Sequence, residues 1–293
     1  VSTKLTIGLD LPATVVPGGP GPGDLARATE DLGYDLISVS DHPAGTAPTN
    51  ETWTMLAFAA AATTRIGLMT RVLGVPFRPP ALVAKMAETL DRLSGGRLVL
   101  GLGGGASDDE IREFGLPVPT PGEKVTGLGD ATRVIRGLWT EPAFTFEGTR
   151  YRTAAADLEP KPAGHIPIWY GTYGPRALDL TGRLADGWIP SLGYAPAERL
   201  PVLRDAVLAA AERAGRSPDA ITCALNLEVH LDDGMTPSDD LVAGPAEVVA
   251  RRLAALAGLG FTVLNVKVPA PGGADRAKQV ERIASEVLPL LRG

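Results

Sequence analysis

The sequence predicts an α/β fold: one (β/α)8 barrel of the TIM type covering residues 1–293, with an insertion between its fourth and fifth strands. Three observations carry this. Short apolar runs alternate with helix-period segments eight times along the chain. The runs are unbroken rather than alternating, as in Leu98-Val99-Leu100, which suits parallel strands buried on both faces. The length of 293 residues with 44% hydrophobic content suits one large core, since such barrels run to ~250 residues. A doubly wound open sheet is the runner-up.

The elements follow in order. Strand one reads as Lys4 to Leu9, and Leu11 to Pro22 is a proline- and glycine-rich loop. Asp24 caps a helix that runs to Leu32 and ends at Gly33. Strand two is Tyr34 to Val39, followed by an alanine-rich helix from Thr52 to Ala62. Strand three is Arg65 to Thr70. Pro79-Pro80 opens a helix whose Leu82, Val83, Met86, Leu90 and Leu93 keep helical spacing, and Ser94-Gly95-Gly96 stops it. Strand four is Leu98 to Leu100, leaving through Gly101, Gly103, Gly104 and Gly105.

The rhythm then breaks. Ala106 to Glu110 reads as an acidic helix start, and Ile111 to Gly122 as loop or short helix. Val125 to Trp139 is a helix, and Phe144 to Arg152 a hairpin turning at Glu147-Gly148. Helix, hairpin and the coil to Pro167 form the insertion. Strand five is Ile166 to Tyr170, with a helix from Pro175 to Leu184. Strand six is Gly187 to Ile189, with a helix from Ala197 to Ala214. Strand seven is Ile221 to Leu231, with a helix from Ala246 to Leu259. Strand eight is Val263 to Val266, and a helix from Asp275 to Leu291 closes the chain.

Composition narrows the function. A net charge of -6 argues against nucleic-acid binding. One cysteine, Cys223, excludes an internal disulfide and a cysteine-rich metal site. Three histidines without an H-E-x-x-H pattern give no metal motif, and Asp232-Asp233-Gly234 lacks the glutamate that ends a calcium loop. There is no apolar run of about 18 residues and no signal peptide, so the expectation is a cytoplasmic protein without a membrane partner.

Chemistry in such a barrel collects where strands end. Strand two runs into Asp41-His42-Pro43, and strand three into Thr70-Arg71-Val72. The glycine run after strand four either bares backbone for a flat ligand or relieves crowding at the rim. It is not the dinucleotide fingerprint, which needs a glycine opening a helix and an acid about 20 residues on. Strand five runs into Gly171-Thr172-Tyr173-Gly174-Pro175-Arg176. Free N–H groups at that helix start make an anion site, with Thr172 offering a hydroxyl and Arg176 positive charge, so a phosphate is expected there. Tyr170, Tyr173 and Trp169 are candidates for flanking a ring, or are packing. Asp109 is a candidate for reaching a cofactor. His165 reads as solvated, and His230 as a rim residue near substrate.

Several pieces together resemble the bacterial luciferase-like family of flavin- and deazaflavin-dependent oxidoreductases. They are Ser40-Asp41-His42, Leu82 to Arg97 with the glycine run, Glu113-Phe114-Gly115, Leu138-Trp139, Pro167 to Gly171, and Leu184 to Ile189. They are densest from position 36 to 190. The resemblance implies a homodimeric barrel binding coenzyme F-420 or flavin mononucleotide at its C-terminal face. The Asp-His pair is more typical of the F-420 branch, where the histidine lies near the reactive ring and the aspartate near its polar edge. It also implies a non-proline cis peptide at the end of strand three, by position Arg71-Val72 or a neighbour. One departure is Ala106, where the family's sugar-phosphate dehydrogenases carry a catalytic glutamate.

The reading is therefore an oxidoreductase moving a hydride between F-420 and a small organic substrate. His42 is the acid–base group, because its charge changes near neutral pH. Cofactor contacts fall on Asp41, His42, Thr70 to Val72, Gly103 to Gly105, Asp109 and Tyr170 to Arg176. No metal is expected. The alternatives are a flavin mononucleotide-dependent monooxygenase and a non-catalytic cofactor-binding barrel.

Overall fold

A computed structural model describes residues 5–15, 17–232, 241–269 and 273–292 of the protein. Lys4, Asp233 and Gly234 lie outside them. The first half of the chain runs β1 (Thr6–Asp10), α1 (Pro22–Asp31), β2 (Leu36–Val39), α2 (Thr52–Ala62), β3 (Gly67–Thr70), β4 (Leu73–Gly74), α3 (Pro80–Ser94) and β5 (Leu98–Gly103). Next come α4 (Asp108–Glu113), α5 (Pro121–Thr140) and a hairpin of β6 (Phe144–Glu147) and β7 (Arg152–Ala156). The second half runs β8 (Ile168–Tyr170), α6 (Pro175–Leu184), β9 (Gly187–Trp188), α7 (Leu200–Arg213), β10 (Thr222–Leu231), β11 (Leu241–Gly244), α8 (Ala246–Gly258) and β12 (Val263–Lys267). It ends in α9 (Gly273–Arg282), joined through a π-turn at Ile283–Val287 to α10 (Leu288–Arg292).

The strands β1, β2, β3, β5, β8, β9, β10 and β12 pair in parallel, and β12 returns to β1. This closes the expected barrel and removes the open-sheet alternative. Helix α5 packs between α3 and α6 in the outer ring, so it is the crossover helix of the fourth unit. What is added to the repeating unit is α4, the hairpin and the coil after it. Among the described residues no helix is long and apolar enough to cross a membrane.

Several boundaries differ from the sequence reading, each for a local reason. Helix α5 starts at Pro121 rather than Val125 because Thr120 and Glu123 form a capping box. The hairpin connection is wider than a turn at Glu147-Gly148 because the Asp130 carboxylate accepts the Arg150 N–H at 2.8 Å, holding the loop against α5. Strand β11 was not anticipated; it pairs in parallel with the far end of β10. The short β4 pairs with β5, continuing the line of β3 after an interruption.

Strand alternation sorts the barrel interior into layers along its axis. The lower layer is apolar: Leu36, Met69, Trp169, Ala224 and Val263 form one buried cluster with Ile189 and Val99. Trp169 fills its place only because Gly187 has no side chain; a Cβ there would lie 2.5 Å from the indole. Two residues further along the strands stand Ser38, Arg71, Asn226 and Asn265. The interior thus turns polar toward the C-terminal ends of the strands.

Candidate active site

The polar layer is the floor of a cavity of about 580 Å³ at the C-terminal ends of the strands. Its parts form a continuous hydrogen-bonded chain. Arg71 donates to both oxygens of buried Asp10, at 2.9 and 3.0 Å. Ser38 donates to Asp10 at 2.8 Å. Asn265 Nδ2 donates to Ser38 Oγ and to Asn226 Oδ1, both at 2.9 Å. Asn226 Nδ2 reaches Ser191 Oγ at 3.3 Å, and the Ser191 N–H donates to Tyr173 Oη at 2.7 Å. Buried polar groups partnered in this way avoid the cost of desolvation without compensation.

One wall is the break between β3 and β4. Met69 pairs with Val99 and Leu73 with Leu102, so one extra residue is accommodated on the β3–β4 side. The Arg71-Val72 peptide is cis, the first of the positions the family resemblance allows. The Val72 side chain lies over the glycines of neighbouring strands. A Cβ on Gly101 would lie 2.0 Å from Thr70 O and 3.0 Å from Val72 Cγ1, and one on Gly103 would lie 2.8 Å from Val72 Cγ2. At Gly171 the distance would be 3.2 Å. Crowding therefore accounts for Gly101 and Gly103, the second of the two sequence readings. Gly105 has φ +89°, which favours glycine, and its carbonyl accepts from Lys124 Nζ at 2.8 Å.

The opposite wall is the exit of β2. Asp41 is 7% exposed, and its carboxylate accepts from Gly74 N at 2.9 Å, from Arg78 at 2.9 and 3.0 Å, and from Thr52 Oγ1 at 3.1 Å. These bonds use its acceptor capacity. Asp41 borders the cavity, and its carboxylate is also bonded to the surrounding frame. His42 is half exposed, and its Nδ1 lies 2.9 Å from Glu110 Oε1. Glu110 comes from α4 and also lines the cavity.

Of the predicted site residues, Asp41, His42, Arg71, Val72, Gly103, Gly104, Gly105, Gly171 and Tyr173 line this cavity. The others do not. Thr70 is fully buried, donating to Gly101 O at 2.7 Å. Tyr170 points outward from the barrel and bonds Thr132 of α5; burial pushes its hydroxyl pKa up to about 12. The Thr172 hydroxyl is buried against Thr181 Oγ1 at 2.7 Å, so it does not present itself to a phosphate. Gly174 caps α6, while Pro175 and Arg176 line a separate groove. Asp109 is exposed and paired with Arg112. His165 is exposed, as expected, and His230 contacts Gln279 rather than the cavity.

Sequence reasoning missed Glu110, Asn226, Ser191 and the Lys267–Glu228 pair, whose Nζ and Oε1 are 2.7 Å apart at the cavity edge. Asn226 and Asn265 carried a signal: each is an amide inside an otherwise apolar strand run. Glu110 was hidden by its spacing from Ser107. S-x-x-E reads as a capping box, and Ser107 does cap α4, but the glutamate turns to His42.

Comparison with known proteins gives the following. The family model for luciferase-like monooxygenases matches residues 22–239. An F-420-dependent glucose-6-phosphate dehydrogenase of Nakamurella multipartita is 38% identical over 71% of this chain, an alignment spanning only 63% of that relative. One of the same name from Intrasporangium calvum is 31% identical over 93% of this chain and 96% of its own. Among solved structures, an F-420-dependent secondary alcohol dehydrogenase superposes with TM-score 0.86 at 20% identity, over 99% of this chain and 100% of that one. The F-420-dependent tetrahydromethanopterin reductase of Methanopyrus kandleri gives 0.84 at 22%, over 98% and 99%. These last two bear on the fold.

The bonding of Asp41 makes it a stability position. Asp41→Ala removes one partner of a buried ion pair and should cost about 3 kcal/mol in urea unfolding. An unchanged midpoint would mean that these bonds do not support the fold.

Proposed function

The chain belongs to the luciferase-like monooxygenase family, and from that premise we propose that it is an oxidoreductase acting as one domain, which takes coenzyme F-420 and transfers a hydride between it and a small uncharged organic substrate. The observation that carries this is the His42–Glu110 pair, at 2.9 Å, in a cavity of ligand size. The names of the relatives at 31–38% identity support the choice of cofactor.

The residues present suit a flat deazaflavin. A cavity of about 580 Å³ lies within the usual range for bound small molecules. Val72, raised over the glycines, is an apolar shelf for a ring face. Arg71 and Asn226 present polar groups for a ring edge, and the backbone at Gly103 to Gly105 and Gly171, with Tyr173, completes the contact surface. When bound, the deazaflavin supplies a two-electron acceptor or donor that reacts poorly with oxygen.

The chain's own part is to orient and to handle a proton. The Glu110 carboxylate accepts the Nδ1–H of His42 and so orients the ring, leaving Nε2 as the nitrogen that handles the proton. Nε2 then takes a proton from a substrate hydroxyl in oxidation, or returns it in reduction. Ala106, in the cavity wall, offers no carboxylate for this. Among the described lining residues the cations Arg71 and Lys267 are both paired, with Asp10 and Glu228. A phosphate dianion would have to displace one of these carboxylates, which favours an uncharged alcohol or carbonyl compound over a sugar phosphate.

We also propose a homodimer. Phe58 on α2 is 61% exposed, and Leu82 and Leu93 on neighbouring α3 are 51% and 79% exposed. Leu82 and Leu93 are eleven residues apart, on one face of α3. A second copy covering these helices would bury that surface.

Titration of the apoprotein with F-420 and with flavin mononucleotide tests the cofactor; F-420 should bind more tightly, and tighter flavin mononucleotide binding would sink the reading. His42→Ala should lower kcat by roughly 10²–10⁴-fold. Glu110→Gln should lower it less. Normal turnover of His42→Ala at saturating cofactor would remove histidine from the proton path. In sedimentation, the Phe58→Asp/Leu93→Asp double variant should be monomeric and the parent dimeric; a monomeric parent ends the dimer proposal.

A further inference from the structure

On the arc of β9, β10 and β12 the cavity is lined by a tyrosine that neither the core nor the proton path uses. Tyr194 ends a single 3-10 turn, Leu192–Tyr194, beyond the exit of β9. The turn is fixed on either side of it. Leu192 and Ala195 are 3% and 4% exposed and anchor it in the core. Ser191 bridges to Asn226 of β10, whose N–H donates to Pro190 O at 2.8 Å. Tyr194 itself is 74% exposed, yet lines the cavity. A side chain so exposed adds little to stability, and its hydroxyl has no hydrogen-bond partner among the described residues.

A second ring sets its orientation. Tyr173 stands 5.7 Å from Tyr194, centroid to centroid, with the planes tilted by 36°. Tyr173 is held in turn by the Ser191 N–H, which donates to its Oη at 2.7 Å. One side of Tyr194 therefore rests on a braced ring, and the rest is open. The pattern recurs at the β4 exit. Phe77 lines the cavity there and is met edge-on by Phe114, at 6.3 Å and 75°. Only 5% of the chain is aromatic, so two braced pairs at one opening are a concentration of ring surface rather than scatter.

We propose that Tyr194, braced by Tyr173, is the specificity-determining face of the substrate site, and that the substrate carries its hydroxyl or carbonyl group on a flat, unsaturated ring. This rests on the reading that the cavity takes F-420 and an uncharged reactant. The shelf for the coenzyme, Val72, lies over glycines of β5 and the β8 exit. The arc of β9, β10 and β12 is left for the reactant. There Lys267 is matched to Glu228, so charge offers a ligand little and ring contact decides. A flat ring laid against Tyr194 gains the offset or edge-to-face contact that a saturated ring of the same carbon skeleton does not. Because the turn and Tyr173 already hold Tyr194, little side-chain freedom is lost on binding.

The test is calorimetric titration of the protein loaded with reduced F-420, on which an alcohol cannot turn over, with benzyl alcohol and with cyclohexylmethanol. Burial of apolar surface alone favours the saturated alcohol, the more hydrophobic of the two, and ring contact reverses that order. The parent protein should bind benzyl alcohol roughly three- to tenfold more tightly. Tyr194→Phe should keep the preference and Tyr194→Leu lose it, with F-420 binding unchanged in both. Equal or tighter binding of cyclohexylmethanol by the parent, or a preference that survives in Tyr194→Leu, overturns the assignment while leaving the cofactor reading intact. So does a loaded protein that binds neither alcohol. Weaker F-420 binding in Tyr194→Leu would give the ring to the coenzyme and also overturn it. Failure of the parent to take up F-420 overturns both readings.

Discussion

Val72 needs room that only glycine leaves, and the site is arranged around that need. With one extra residue between β3 and β4, the successive side chains of Arg71 and Val72 both face the cavity. Val72 comes to rest over Gly101, Gly103 and Gly171, on two neighbouring strands. Arg71 then reaches back to Asp10 on β1. Pairing resumes at Leu73, which brings the Gly74 N–H onto the Asp41 carboxylate, and Asp41 fixes Arg78. A single local displacement thus ties five strand exits together. Side chains added to the glycines would push on a bulge that has nowhere to go in a close-packed rim.

The barrel axis also orders polarity. Residues two apart along a strand share a face, so Leu36 stands below Ser38, Met69 below Arg71, Ala224 below Asn226 and Val263 below Asn265. The lower row excludes water and holds the strands together. The upper row would be costly to bury if its members were isolated. It is stable because Asp10, Ser38, Asn265, Asn226 and Ser191 bond one another around the floor. The result is a rigid floor that is polar yet largely neutral, since its charged members, Arg71 and Asp10, cancel each other.

The eight barrel strands were legible because buried parallel strands are short apolar runs punctuated by glycine and proline, and that signal is local. The choice of face was not. A strand apolar on both sides shows no alternation, so Trp169 and Tyr170 look equivalent, yet one fills the barrel and the other bonds Thr132 of α5. Thr70 and Thr172 were misplaced for the same reason. The glycine run was visible, but its cause was not, because Val72 meets Gly101 and Gly103 across about thirty residues of chain. His42 was found from its strand exit. Its partner was lost because Glu110 also satisfies a helix-start pattern, and position alone does not say which demand the carboxylate answers.

The placement of charge limits what the cavity can hold. A free cation on its wall would bind anions, and a free carboxylate would repel them. Arg71 and Lys267 are instead matched to Asp10 and Glu228, and the Asp41 carboxylate to Arg78. The Glu110 carboxylate lies against His42. Charges paired in this way hold the frame at fixed distances, so the lining presents polar groups whose fields largely cancel before any ligand arrives.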